Sequence, residues 1–318
     1  MITARADLSG SRREAARMRT VRDCTVPPNL ATRGSIITID PKSLDLLLPF
    51  LDRNTLFRHH WGYRPILDSE PVAPSQRAVA RKQEWERMLV RELEPELQGL
   101  WRDAKREGWL RPSAAFGIFP VQADGDELIV YDPVAFIEGA RGTSLPVRSR
   151  FSFPRQPEDG SPRNKGRLCL ADYFRPIESG EYDTAGFQVV TAGAIASQTA
   201  AKLQQNDAYD RGFKVHGLAA TVAEAMAEFI QQRIQVAMGV PKGQGLRYSW
   251  GYLACPDIAD QVKVLDLLPR ANTELGIALT SGFQFDPDQT TAALVVHHPD
   301  AIYFAVLGND AISDETAD

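Results

Sequence analysis

Arg247-Tyr248-Ser249-Trp250-Gly251-Tyr252-Leu253-Ala254-Cys255-Pro256 sets a guanidinium, three aromatic rings, a glycine and a Cys-Pro end in one short run, directly after a long helical pattern and a Gly-rich connection. So dense a run is costly to bury without a purpose. Arg247 offers a planar fork of donors suited to a carboxylate. Gly251 lets the backbone approach a ligand closely, and Tyr248, Trp250 and Tyr252 can stack on a flat ring or face a cation. The run suits a small ligand that combines a carboxylate, a planar ring and a positive charge.

On the N-terminal side of this run, residues 215–238 read as a helix. Leu218, Val222, Met226, Phe229 and Val236 form one stripe, while Glu224 and Glu228, four apart, share the opposite side. By periodicity the glutamates form a solvated face, yet Ala220, Ala223 and Ala227 leave room beside Glu224. On the C-terminal side, Ile258 to Leu268 reads as a helix with Asp257 near its start. Gly276 to Phe285, Thr291 to His297 and Ile302 to Leu307 read as antiparallel strands, with Asp286-Pro287-Asp288 as the first turn. Tyr303 and Phe304 alternate, so one ring can face a ligand while the other fills the core.

Earlier in the chain a strand is expected at Ser35 to Ile39 and a short helix from Pro41 to Phe57, with Asp52 directly after its apolar face. From Ser75 to Gly108 runs a charged helix whose apolar stripe includes Trp85, Leu93, Leu97 and Trp101, with Pro95 splitting it near Leu93. Ala115 to Val121 and Glu127 to Tyr131 flank Asp124-Gly125 as a hairpin, and Val147 to Phe153 alternates as another strand. Glu158 to Arg167 reads as a solvated loop. Leu168 to Phe174 and Ala185 to Val190 read as central strands. Hairpin signals outnumber strand-helix-strand signals, so the expected class is α+β: a single mixed domain with a largely antiparallel twisted sheet flanked by long helices.

The chain has 318 residues, with 36 Lys plus Arg against 41 Asp plus Glu, a net charge of −5. That balance gives no electrostatic case for nucleic acid or an anionic membrane surface. Cys24, Cys169 and Cys255 are widely spaced and odd in number, which fits free thiols in a reducing compartment. No apolar run approaches the ~20 residues of a membrane span, and the start lacks the apolar core of a signal peptide, so a cytoplasmic location is expected. Residues 1–25 carry many arginines and few apolar residues and are expected to be a poorly ordered extension. Residues 308–318 form an acidic tail. The five histidines, His59, His60, His216, His297 and His298, form no metal-ligand pattern, and no catalytic nucleophile is evident.

Arg-x-x-x-Gly-Tyr-x-Ala-Cys-Pro resembles the signature of the S-adenosylmethionine-binding activation domain of cobalamin-dependent methionine synthase. Further blocks resemble that family in the same order: Leu51-Asp52 with Thr55 and Phe57, Gly117-Ile118-Phe119-Pro120, Leu168 to Asp172, His216 to Glu228, Leu279-Thr280 with Phe283, and His298-Pro299 followed by Tyr303 to Val306. The resemblance covers residues 26–307 and implies a methyltransferase component of methionine biosynthesis. It implies S-adenosylmethionine as bound methyl donor, held by Asp52, Glu224, Arg247, Gly251, Tyr252, Ala254, Tyr303 and Phe304. It also implies that cobalamin sits only on a partner, a methionine synthase module or other corrinoid protein acting in trans, with flavodoxin or a similar donor supplying an electron. The family's modules for homocysteine, folate and cobalamin are not in this sequence, and Ile258 stands where the family often has histidine. A different class of reading, a sensor or assembly module without methyl transfer, needs the same pocket.

Overall fold

Apolar residues run almost without break from Ser113 to Asp124, and to this strand the sheet attaches on both sides. The computed structural model describes residues 34–65, 77–138, 145–156 and 167–306. The Arg-rich extension with Cys24, most of the loop expected at Glu158 to Arg167, and the acidic tail lie outside the described residues. Strand β2 (Ser113–Asp124) pairs along one edge with β1 (Ser35–Thr38) and then with β3 (Glu127–Tyr131), and along the other with β5 (Asp183–Thr191). Strand β4 (Val147–Ser152) follows β3, and β9 (Thr290–Val296) joins β5 to β6 (Leu246–Ser249). All these pairings are antiparallel, in a seven-stranded sheet of order β4-β3-β2-β5-β9-β6 with β1 beside β2. A two-residue turn sets Asp124 opposite Glu127, as the Asp-Gly signal requires.

The sheet is covered on both faces, which is why β2 and β5 read as near-continuous apolar runs. Ala114, Phe116 and Ile118 face one layer, formed by the turn at Pro41–Phe50, the helix α2 (Glu94–Glu107) and the long helix α4 (Tyr209–Ala237). Ala115, Phe119 and Val121 face the other layer, with Leu170, Tyr173, Phe174, Trp250 and the helix α5 (Gln261–Leu267). Pro95 has the expected effect: α1 (Arg77–Met88) passes through a π-helical turn, Leu89–Leu93, before α2 begins, because the ring cannot supply its hydrogen bond to the preceding turn. Asp257 caps its turn by accepting from Ala259 N at 2.9 Å.

Several expected elements take another form. Leu168 to Phe174 is no strand: Leu170–Tyr173 is a 3-10 turn whose Asp172 carboxylate accepts from Cys169 N at 3.2 Å. A short buried apolar run carries no periodicity that separates these outcomes. Ile302 to Leu307 is also not a strand, since residues 302–306 are irregular and the last partner of β9 is β6. Gly276 to Phe285 reduces to a small hairpin of β7 (Ala278–Leu279) and β8 (Phe285–Asp286). The helix expected over Pro41 to Phe57 is instead a 3-10 helix, Pro41–Phe50, then the turns Arg53–Thr55 and Leu56–His60. Helix α3 (Ala194–Gln205) has no counterpart in the sequence reading; its apolar content is mostly small alanines. Val236, placed in the core stripe of α4, is 78% exposed, because it lies on the outward face of the helix while its neighbours Ile234 and Gln235 are buried.

The Leu170–Tyr173 turn is held by Arg155, whose guanidinium donates to both Asp172 oxygens at 2.6 and 3.0 Å and to Asp126 at 2.9 Å. The Asp172 side chain is 1% exposed. Removing the cation strands that carboxylate in the interior, so Arg155→Ala is expected to cost about 3–5 kcal/mol. Urea denaturation followed by tryptophan fluorescence measures it. A loss under about 1 kcal/mol, the range of an exposed pair, would show that the bridge does not hold the turn.

Candidate functional site

The Arg247 run begins as an edge strand and ends as a tight loop. In β6 the register Arg247↔Val295 and Ser249↔Ala293 fixes alternation: Arg247 and Ser249 share one face, Tyr248 and Trp250 the other. Tyr248 and Trp250 are therefore buried, with Trp250 stacked near Phe187 and Phe151 and Tyr248 Oη donating to Ile302 O at 2.7 Å. Of the three rings expected to meet a ligand, only Tyr252 remains well exposed. Gly251 turns the chain with φ +86, and Gly251 N donates to Cys255 O at 2.9 Å while Cys255 N donates to Tyr252 O at 3.0 Å. A Cβ on Gly251 would stand 2.9 Å from Ile258 Cγ2, so its missing side chain serves close packing of this loop as well.

The C-terminal segment closes the same region. Val306 N donates to Leu253 O at 3.0 Å and Gln156 Nε2 to Ala305 O at 2.9 Å, which ties residues 302–306 to the loop and to the β4 end. Phe304 is buried against Tyr173 and Tyr248, while Tyr303 is 66% exposed, the alternation expected of the pair.

Glu224 on α4 accepts from Arg247 Nη2 at 2.9 Å; the carboxylate side chain is 48% exposed and the guanidinium 14%. Arg247 Nη1 is 3.4 Å from Ser249 Oγ, and its Nε is buried without a hydrogen-bond partner. Around this pair lies a cavity of about 270 Å³ lined by Glu224, Arg247, Ser249, Tyr252, Ala254 and Tyr303, with Tyr248, Leu253, Cys255 and Phe304 as its walls. Burial and the nearby Glu224 carboxylate raise the Tyr252 phenol above its ordinary value, and burial raises that of Tyr303, so both rings are neutral donors at neutral pH. An adjoining cleft of about 550 Å³ shares Glu224 and Tyr252 and adds Gly251, Thr55, His60, Gln284, Asp288 and Gln289. A separate cavity is lined by Asp45, Arg53, Glu94, Trp101 and Lys105.

The structure thus gathers Glu224, Arg247, Tyr252, Ala254, Tyr303 and Phe304 around one cavity and Gly251 at its neighbour. Asp52 does not line either. It caps the turn Arg53–Thr55, accepting from Thr55 N at 3.0 Å and Thr55 Oγ1 at 2.7 Å, and those hydrogen bonds lower its carboxyl below the ordinary value. A capping role accounts for these contacts, and of this pair only Thr55 lines the second cleft. Sequence reasoning missed Ser249, recoverable from strand alternation inside the motif, missed Leu253 in the loop after β6, and missed His60, Gln284 and Asp288, which no local signal connects. Among the described residues, no group of three or more His, Cys, Asp or Glu is arranged to hold a metal, and no helix is long and apolar enough to cross a membrane.

Residues 77–316 match the family described as vitamin B12 dependent methionine synthase, activation domain. The chain belongs to that family. Methionine synthase of Mycobacterium tuberculosis (strain ATCC 25618 / H37Rv) is 32% identical over 282 residues, 80% of this chain and 21% of the relative. Methionine synthase of Mycobacterium leprae (strain TN) is 30% identical over 284 residues, 81% and 21% respectively. This chain therefore spans about a fifth of the length of these relatives. The crystal structure of the MetH reactivation domain bound to AdoHcy matches with a TM-score of 0.67 at 24% identity, over 92% of this chain and 88% of that one, a likeness in fold. The mixed architecture with its antiparallel sheet is that of the activation domain. Asp52 precedes the residues matched to the family.

Burial pushes the Cys255 and Cys169 thiols up to about 12, and their Sγ atoms lie 3.0 Å from Ser249 O and 3.4 Å from Phe153 O. Neither is a thiolate at neutral pH, so neither is a nucleophile of this activation domain. In a Cys24→Ser background, a thiol-disulfide reagent at pH 8 is expected to modify no cysteine of the native protein and two after denaturation. Rapid native labelling of Cys255 would show that its environment is open.

Proposed function

We propose that this activation domain binds S-adenosylmethionine at the Arg247–Glu224 cavity and presents its methyl group for reductive methylation of Co(II) cobalamin. The cobalamin is carried by a methionine synthase module or related corrinoid protein supplied as partner, and flavodoxin or a similar protein is the electron donor. One observation carries the reading. A mostly buried guanidinium with an unused Nε faces an exposed carboxylate between two exposed tyrosines, Tyr252 and Tyr303. That arrangement offers a cation for the ligand's carboxylate, an anion for its ammonium and sulfonium, and ring faces for its purine. The AdoHcy bound to the structural neighbour supports the same ligand class.

In this reading Arg247 holds the carboxylate, Glu224 supplies negative charge, Tyr252, Tyr303 and Phe304 shape the walls, and the backbone at Gly251 and Ala254 completes the cradle. Asp52 adds negative charge at the edge of the adjoining cleft through its turn. Bound S-adenosylmethionine supplies an activated methyl group on sulfur. The domain itself positions, in a cleft that opens outward so that a cofactor held elsewhere can approach. A cytoplasmic site of action follows from this chemistry with a reducing partner.

Calorimetry is expected to show S-adenosylmethionine binding, with Arg247→Ala losing about 2 kcal/mol or more, roughly thirtyfold. Equal affinities for a folded variant would remove Arg247 from the site. Anaerobic mixing with a Co(II) cobalamin protein, reduced flavodoxin and S-adenosylmethionine should yield the methylated corrinoid spectrum; binding without methylation of any cobalamin partner would favour a sensor instead.

A further inference from the structure

His60 stands at the adjoining cleft and has no role in the reading above. It ends the π-helical turn Leu56–His60 and lines the cleft with Thr55, Ala220, Ala223 and Glu224. Contacts with α4 fix its place. A Cβ on Gly217 would stand 2.8 Å from His60 Cβ, and Trp61 Nε1 donates to Lys214 O at 3.0 Å. The turn is therefore seated on the helix that carries Glu224 two turns further on.

The charged and titratable groups around His60 come from three segments. Its own segment brings Asp52 and His59, and α4 brings His216 and Glu224. Across the cleft stands Asp288, whose carboxylate is 3.8 Å from His216 Nδ1, and Tyr252 adds a neutral phenol. Lys214 on α4 is engaged by Glu96 and Asp210. The lining of the cleft thus includes two carboxylates, Glu224 and Asp288, and the His60 imidazole.

We propose that His60 is a charge-specificity residue of this site: as a neutral imidazole it leaves the negative charge of Glu224 available to a cationic ligand, and as an imidazolium it offsets that charge and repels a sulfonium. The inference rests on the S-adenosylmethionine reading. Burial, reinforced by His216 and His59, lowers His60 below the ordinary imidazole value of 6.5 against the pull of Glu224 and Asp52, so the ring is neutral at neutral pH. A cation bound beside it lowers that value further, and binding expels the proton. Affinity for a sulfonium is then full above the free protein's His60 transition and falls as pH drops through it, by up to about tenfold per pH unit. S-adenosylhomocysteine, the same skeleton with its ammonium but without the sulfonium charge, lacks the sulfonium's share of the penalty.

The test is calorimetric titration of both ligands from pH 8 to pH 5 with wild type, His60→Gln and His216→Gln. In wild type and His216→Gln, the preference for S-adenosylmethionine over S-adenosylhomocysteine should fall as pH drops through the His60 transition of the free protein; in His60→Gln it should stay flat. Persistence of the fall in His60→Gln, its loss in His216→Gln, or a flat preference in wild type overturns the proposal while leaving the ligand reading in place. No S-adenosylmethionine binding at any pH defeats the ligand reading and this proposal with it. Should His60→Gln not fold, NMR titration of the wild-type His60 ring decides: its pKa should be lower with S-adenosylmethionine bound than with S-adenosylhomocysteine, and equal values overturn the proposal.

Discussion

The ion pair between Arg247 and Glu224 depends on a long-range arrangement of the chain, because its partners sit on an edge strand and on the longest helix. β6 reaches its place only by pairing with β9, and α4 only by packing across β2, β5 and β9. Of the two charges only the guanidinium is confined. An unpaired guanidinium that is 14% exposed is costly, and the nearby carboxylate offsets that cost while half of it stays in solvent. The pair is thus both a structural contact and a ligand-ready one: its outer carboxylate edge and the unused Arg247 Nε are the groups a zwitterionic cation would engage.

Around that pair, polar contacts with no ligand role keep the walls in position. Tyr248 Oη on Ile302 O and Val306 N on Leu253 O hold an irregular segment against the loop that follows β6. Arg155 holds the Leu170–Tyr173 turn beneath them, so that Tyr173 can support Phe304 and its hydroxyl oxygen can accept from Ile302 N. Deep burial of Tyr248, Trp250 and both described cysteines leaves Tyr252 and Tyr303 as the rings that project. Function is concentrated in a few side chains because their neighbours are committed to the core.

Much of this was legible from residues alone. The Asp-Gly hairpin, the split at Pro95 and the Tyr303–Phe304 alternation follow from spacing and local chemistry, whereas the place of Glu224 beside the Arg247 run comes from the family resemblance, periodicity alone giving a solvated face. The failures share a cause. Leu168 to Phe174 and Ile302 to Val306 are short apolar runs whose conformation is decided by distant partners, Arg155 in one case and Leu253 and Tyr248 in the other. α3 escaped notice because alanines give a weak stripe. The second cleft was invisible because His60, Gln284 and Asp288 meet only after the sheet is assembled and the Leu56–His60 turn is seated on Gly217.

A crystal structure of the protein grown with S-adenosylmethionine tests the central claim most directly. The ligand is expected between Glu224, Arg247 and Tyr303, with its carboxylate within hydrogen-bond distance of the Arg247 guanidinium and its sulfonium methyl turned toward solvent. Ligand seated instead in the cavity of Asp45, Trp101 and Lys105, or a methyl group sealed beneath Tyr252 and Tyr303, would contradict it.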